Sequence, residues 1–125
     1  MDLYHVFDSF VKPMTALPKC SLAELMADAP RPCEQFVSHW SGTPLENMMA
    51  ALEWHAEARC LPDTTVYWMW PFAWGPTPPS AEDVDDFRTW PNYKALYSCS
   101  GVVMVLDDAA TFMRRTWCAF EAWAA

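Results

Sequence analysis

Apolar and polar positions follow a helical period in one part of the chain and form strand-length runs elsewhere. Leu45, Met48, Met49, Leu52 and Ala56 recur every three or four residues, while Glu46, Glu53 and Glu57 fall largely on other faces. That is the pattern of an amphipathic helix lying on a sheet. Its start is marked by Thr43 as N-cap, Pro44 at the first helical position and Glu46 closing a capping box. Three runs read as strands. "EQFVSHW", bounded by the turn at Ser41-Gly42, predicts a strand over residues 35 to 40. "TTVYWMW" is β-branched and aromatic, and "GVVMVLD" is an uninterrupted buried-strand signal. "YKALYSC" reads as a short helix, and the composition of "TWCAFEAWAA" begins a last one.

Strands alternating with helices imply a parallel sheet covered by helices, hence an α/β fold. Sites in such sheets lie outside the carboxyl ends of the strands. That rule puts His39, Trp40, Trp70 and Asp107 on one rim, with the loop leading to Trp117. Residues 1 to 34 mix Pro13, Pro18, Pro30 and Pro32 with one short helical signal, "CSLAELMAD", in which Ser21 caps and Glu24 answers. They read as an N-terminal extension with one helix, leaving residues 35 to 125 as the α/β domain. "PFAWGPTPPSAEDVDDFRTWPN" is too proline-rich for more than a turn or two of helix after Ser80, where Asp83 completes a cap.

Composition narrows the function classes. At 125 residues the chain is one domain's worth, and 53% hydrophobic against 19% charged residues places it among folded proteins. A net charge of -8 with eight Lys and Arg leaves no footprint for a phosphate backbone or an anionic membrane, which excludes nucleic acid as a partner. No apolar run approaches a membrane span, and "MDLYHVFDSFVKP" lacks the basic and apolar regions of a signal peptide, so a cytoplasmic protein is expected. The five cysteines are odd in number and contain no C-x-x-C pair, which fits reduced thiols better than a disulfide framework or a metal site.

Two stretches carry a resemblance. "QFVSHWSG" looks like the first-strand box of the Toll/interleukin-receptor (TIR) domains, and "NYKALYSCSGVVMVLDDAATFMRRTWCAFEAW" is similar to their run of short helix, aliphatic strand, loop and Trp-Cys-x-x-Glu. The subgroup it resembles is the TIR-like module of unicellular eukaryotes. The resemblance implies a flavodoxin-like parallel sheet of about three strands, lacking the family's last strands and leaving the edge of the third uncovered. It also implies an NAD hydrolase: Glu121 as the carboxylate that cleaves the nicotinamide–ribose bond, with Trp117 one helical turn before it. Ser38, His39 and Trp40 would form the opposite wall, Trp70 and the loop after it a lid, and Arg114 and Arg115 the phosphate contacts. NAD enters as substrate, and neither a cofactor nor a metal is implied. Other members of the family signal by self-association, so a non-catalytic module pairing with its own copies or with other TIR-like domains, or an inactive truncated fragment, are the alternatives. In place of the family's commoner Arg-Asp-x-x-x-Gly character, the middle loop offers Trp74-Gly75-Pro76 and "EDVDD".

Plainer readings stand beside these. His55 is expected to be a partly buried ring, Trp54, Trp68 and Trp123 to be core or interface residues, and Cys118 a buried structural thiol. Ser38 and His39 are adjacent on a strand and point to opposite faces, which argues against a Ser-His-Asp triad.

Overall fold

Phe36 and Val37 are almost wholly buried on opposite sides of one strand, so helices must cover that strand on both faces. The computed structural model describes residues 1–77 and 86–125, with only the backbone of Trp117. In it β1 (Gln35–Ser38) is the central strand of a three-stranded parallel sheet, between β2 (Tyr67–Trp68) and β3 (Gly101–Met104). The order β2-β1-β3 is flavodoxin-like, with Phe36 level with Trp68 on one side and Val102 on the other. Val37 packs with Leu3, Met48 and Met69, while Phe36 packs with Ala95 and Leu96 and stacks on Trp68 at 5.0 Å. The chain is therefore α/β as read, with α4 (Leu45–Ala58) on one face and α6 (Pro91–Ser98) on the other.

The strands are shorter than their apolar runs. β1 ends at Ser38, where the chain turns and Thr43 N–H donates to Trp40 C=O at 3.0 Å. β2 ends at Trp68, and Trp70 opens the short helix α5 (Trp70–Ala73). Pro71 has no N–H for a ladder and a φ suited to a helical first turn, so the aromatic run bends out of the sheet there. Among the described residues β3 pairs on one side, with β1, and its Met104 is exposed.

The N-terminal region departs most from expectation. The expected helix is present as α3 (Leu22–Met26), with the Ser21–Glu24 capping box formed in both directions. Ahead of it, however, α1 (Leu3–Val6), a π turn (Phe7–Val11) and α2 (Lys12–Ala16) follow one another without a break. Pro13 explains the wide turn. In a regular helix its ring would strike the carbonyl four residues back; here Lys12 N–H reaches five residues back to Phe7 C=O just before the proline. Leu3, Val6, Phe7 and Val11 are buried, and Leu3 shares the core of Val37 and Met48.

This segment also alters the start of α4. The Thr43–Glu46 capping box does not form: Pro44 is the N-cap, without a side-chain cap bond, and Leu45 N–H donates to Met1 C=O at 2.8 Å. Asp2 pairs with Pro44 as an antiparallel bridge, so the incoming chain satisfies one of the unpaired N–H groups at the start of the helix. Along α4, Leu45, Met48 and Leu52 join the core as expected, while Met49 is exposed.

Two further expectations are corrected. Trp54 and Trp123 are 70% and 77% exposed rather than packed in the core, because each lies on the outward face of its helix. Cys33 and Cys99 form a disulfide with Cα atoms 5.4 Å apart, leaving Cys20, Cys60 and Cys118 free. The sheet register accounts for it: Gln35 pairs with Gly101, and each cysteine stands two residues before its member of that pair. His55 is half-buried, its Nδ1 2.9 Å from Tyr67 Oη, in line with the plain reading. Among the described residues no helix is long and apolar enough to cross a membrane.

Candidate functional site

The helix α7 (Thr116–Ala124) turns Cys118, Glu121 and Ala124, three residues apart, toward the sheet. Glu121 is thereby 7% exposed, at the carboxyl end of β1. Ser38 lies on the same side of β1 as Phe36, and its hydroxyl donates to Glu121 Oε2. Asn92, in the first turn of α6, donates from Nδ2 to Glu121 Oε1 at 3.1 Å. Two elements thus hold one carboxylate, and among the described residues no Lys or Arg forms an ion pair with it. Burial raises its pKa above the ordinary 4.5, while the bonds from Ser38 and Asn92 pull the other way. When ionised it presents a negative charge with no ion-pair partner among the described residues, in surroundings that screen it little.

Above this carboxylate opens a cleft of about 620 Å³, with Trp70, Trp74 and Trp90 in its walls. Phe7 and Trp70 lie 5.0 Å apart, Trp70 and Trp74 5.3 Å, and Trp74 and Trp90 6.0 Å, forming one aromatic bank. Trp70 Nε1 donates to Ser41 Oγ at 2.8 Å, which fixes the middle of the bank. Trp40 folds back over Gly42, where a Cβ would collide with the indole. Arg114 and Arg115 stand exposed at the edge, and they are the cationic side chains of the lining.

His39 also lines the cleft. It is 6% exposed, and among the described residues neither buried ring nitrogen makes a hydrogen bond of full geometry, the Trp40 backbone lying near enough for a weak one. Burial lowers its pKa to about 4, so the ring is neutral at physiological pH, with one donor and one acceptor nitrogen. Its carbonyl accepts from Cys118 Sγ at 3.4 Å. Burial, and then the nearby Glu121 charge, push the Cys118 thiol up to about 11, so it is an inert packing residue as expected.

The structure therefore gathers Glu121, His39, Trp40 and Trp70 at one cleft, with Arg114 and Arg115 at its edge. Ser38 is placed differently from the wall position read from the sequence: it is 1% exposed and supports Glu121 from behind. Trp117 lies one turn before Glu121 in α7, and the wall role expected of its indole falls outside the described residues. The same holds for the helical turn expected at Ser80 and Asp83 and for the acidic run through Asp85. Asp107 turns away from the cleft to accept from Thr111 N–H at 2.6 Å. Protein-family models, curated proteins and solved structures offer no match to this chain. Its chemistry has to be read from its own residues.

Sequence reasoning read Trp74, in the loop after Trp70, as part of a lid, and missed Asn92, Trp90 and the contribution of Phe7. Leu3, Val6, Phe7 and Val11 do keep helical spacing, so the last of these had a signal, broken by Pro13. Asn92 had none, since an asparagine in a first helical turn is ordinary until its tertiary neighbour is known.

Proposed function

We propose that this chain is a TIR-like domain that hydrolyses NAD at the nicotinamide–ribose bond, with Glu121 as its catalytic carboxylate. The observation that carries this reading is the Glu121 carboxylate, buried with no ion-pair partner among the described residues and held by Ser38 and Asn92 at an aromatic cleft. Bond cleavage sends the C1′–N electron pair to the ring nitrogen, so the pyridinium leaves as neutral nicotinamide without needing an acid. The ribose left behind has oxocarbenium character, and a fixed negative charge beside C1′ lowers its energy. Water then adds to C1′ and gives up a proton, for which the carboxylate is the acceptor. The aromatic bank supports the flat base and keeps water off the carboxylate, and Arg114 and Arg115 suit the diphosphate.

The test is nicotinamide release from NAD by purified protein. Wild type releases it, and Glu121→Gln lowers kcat about 100- to 1,000-fold; equal release from the variant, or none from either, sinks the reading. We place the activity in the cytoplasm. The Cys33–Cys99 bond stands against that placement, because disulfides rarely persist there. Recovery of the bond intact from cells quenched with an alkylating agent would move the protein to an oxidising compartment.

A second reading, a non-catalytic module that assembles with copies of itself, is favoured by one observation. Phe87, Tyr93, Tyr97, Phe120 and Trp123 form a chain of ring contacts 5.3 to 5.9 Å apart that reaches strongly exposed Tyr97 and Trp123. A monomer by light scattering across a hundredfold range of concentration rules this reading out.

A further inference from the structure

The amide of Asn92 has two ends in different circumstances. Its nitrogen faces Glu121, and because a carboxylate only accepts, this contact fixes which end of the amide is which. The carbonyl Oδ1 is then buried without a hydrogen-bond partner among the described residues, and Asn92 lines the cleft. His39, nine-tenths buried in the same lining, has only a weak backbone neighbour at Trp40 for its ring among the described residues. Buried polar atoms are rarely left so, and the two residues that carry these line one cleft, with the atoms themselves just beneath its surface. What satisfies Oδ1 must bring an O–H or N–H group.

We propose that Asn92 is a ligand-reading residue: its amide nitrogen holds Glu121 while its amide oxygen accepts a hydrogen bond from a hydroxyl of the bound ligand. Resting on the NAD reading above, that hydroxyl belongs to the ribose next to the scissile bond, since Asn92 and the carboxylate that faces C1′ are in direct contact. The neutral His39 ring adds one donor and one acceptor to the same cleft. A ligand without ribose hydroxyls leaves Oδ1 buried and unpaired, so the arrangement discriminates against deoxygenated sugars.

The experiment removes the hydrogen bond from each side. Binding of NAD and of its analogues lacking the 2′- or the 3′-hydroxyl of the nicotinamide ribose is measured by calorimetry on wild type, Ser38→Ala, Asn92→Ala and Asn92→Ser, with nicotinamide release followed in parallel. Wild type binds one of the two analogues about 10-fold more weakly than NAD. Asn92→Ala binds NAD about 10-fold more weakly and no longer distinguishes that analogue. Ser38→Ala, which removes the other donor to Glu121 and leaves Oδ1 in place, keeps the discrimination. Equal binding of NAD and both analogues by wild type overturns the proposal without any variant having to fold, as does unchanged discrimination in Asn92→Ala. Asn92→Ser, whose hydroxyl can still accept, restores part of the preference. Discrimination that depends on Asn92 in a protein releasing no nicotinamide supports this inference and sinks the catalytic reading alone. Release that is insensitive in KM to Asn92→Ala does the reverse, and absence of any binding overturns both.

Discussion

Ser38 and Glu121, 83 residues apart in the chain, meet through a buried hydrogen bond that joins the last residue of β1 to α7. Removing the hydroxyl leaves one carboxylate oxygen without its donor in a site that water barely reaches. Ser38→Ala is expected to lower stability by about 1–3 kcal/mol. The rate of nicotinamide release should fall about 10-fold, with KM little changed, because Ser38 lies behind the carboxylate rather than in the cleft wall. Denaturant titration and steady-state kinetics check the two parts separately.

Glu121 titrates above the ordinary 4.5 because it is buried. For a carboxyl whose folded pKa is raised, its contribution to stability is complete below the unfolded value and is lost as pH rises through the folded one. Glu121→Gln should therefore be more stable than wild type at pH 8, with the difference closing as pH falls to 4.5. Under the proposed reading activity runs the opposite way, because the ionised carboxylate is the form that stabilises the ribosyl cation, and the acid limb of the kcat profile should lie above pH 4.5. Denaturation midpoints at pH 8 and 4.5, beside a pH–rate profile, test both signs.

His39 behaves as a buried base whose pKa is depressed from 6.5 to about 4. Its contribution to stability is complete above 6.5 and is lost as pH falls through that window toward 4, because the unfolded chain takes up a proton that the folded one refuses. The loss reaches about 3 kcal/mol at most. In the variant His39→Gln this component is gone, so the stability difference between wild type and variant should change across pH 6.5 to 4 and stay flat above it. Chemical denaturation at half-unit steps measures that difference, and a flat one would mean that His39 is not buried as a neutral ring.

The cysteines should fall into three classes. Under non-reducing denaturing conditions an alkylating agent should label Cys20, Cys60 and Cys118, with Cys33 and Cys99 joining after reduction. In the native protein exposed Cys60 should react first and buried Cys118 last, its thiol being held near 11. Cys33→Ala should cost about 2–4 kcal/mol of stability, a difference that disappears when both proteins are reduced. Peptide mass spectrometry and denaturation with and without reductant provide the readouts.

What was legible in the sequence follows the range of the interactions. The Ser21–Glu24 box, the apolar stripe of α4 and the aliphatic run of β3 are local, and each appears where its pattern lies. Glu121 stands out through the resemblance of its Trp-Cys-x-x-Glu run to TIR domains rather than by local pattern, and its inward face follows from Cys118 and Ala124 on the same side of α7. The Thr43 cap is absent because the helix start shifts to Pro44, where Leu45 N–H is taken by the Met1 carbonyl, more than forty residues away. The disulfide was hidden for a similar reason: counting cysteines cannot reveal it, whereas the register of β1 against β3 does. Asn92 belongs to the same class, since its meaning lies in what faces it.

The cleft draws Phe7 from the first helical segment, His39 from the end of the central strand, Trp70 from beyond β2, Asn92 from α6 and Glu121 from α7. No contiguous stretch of chain contains it, and the Ser38–Glu121 bond closes only after the chain between them has found its place. On a translating ribosome the cleft therefore stays open until α7 has been made. A nascent chain carries the strands and most of the aromatic bank before Glu121 reaches Ser38 with the docking of α7.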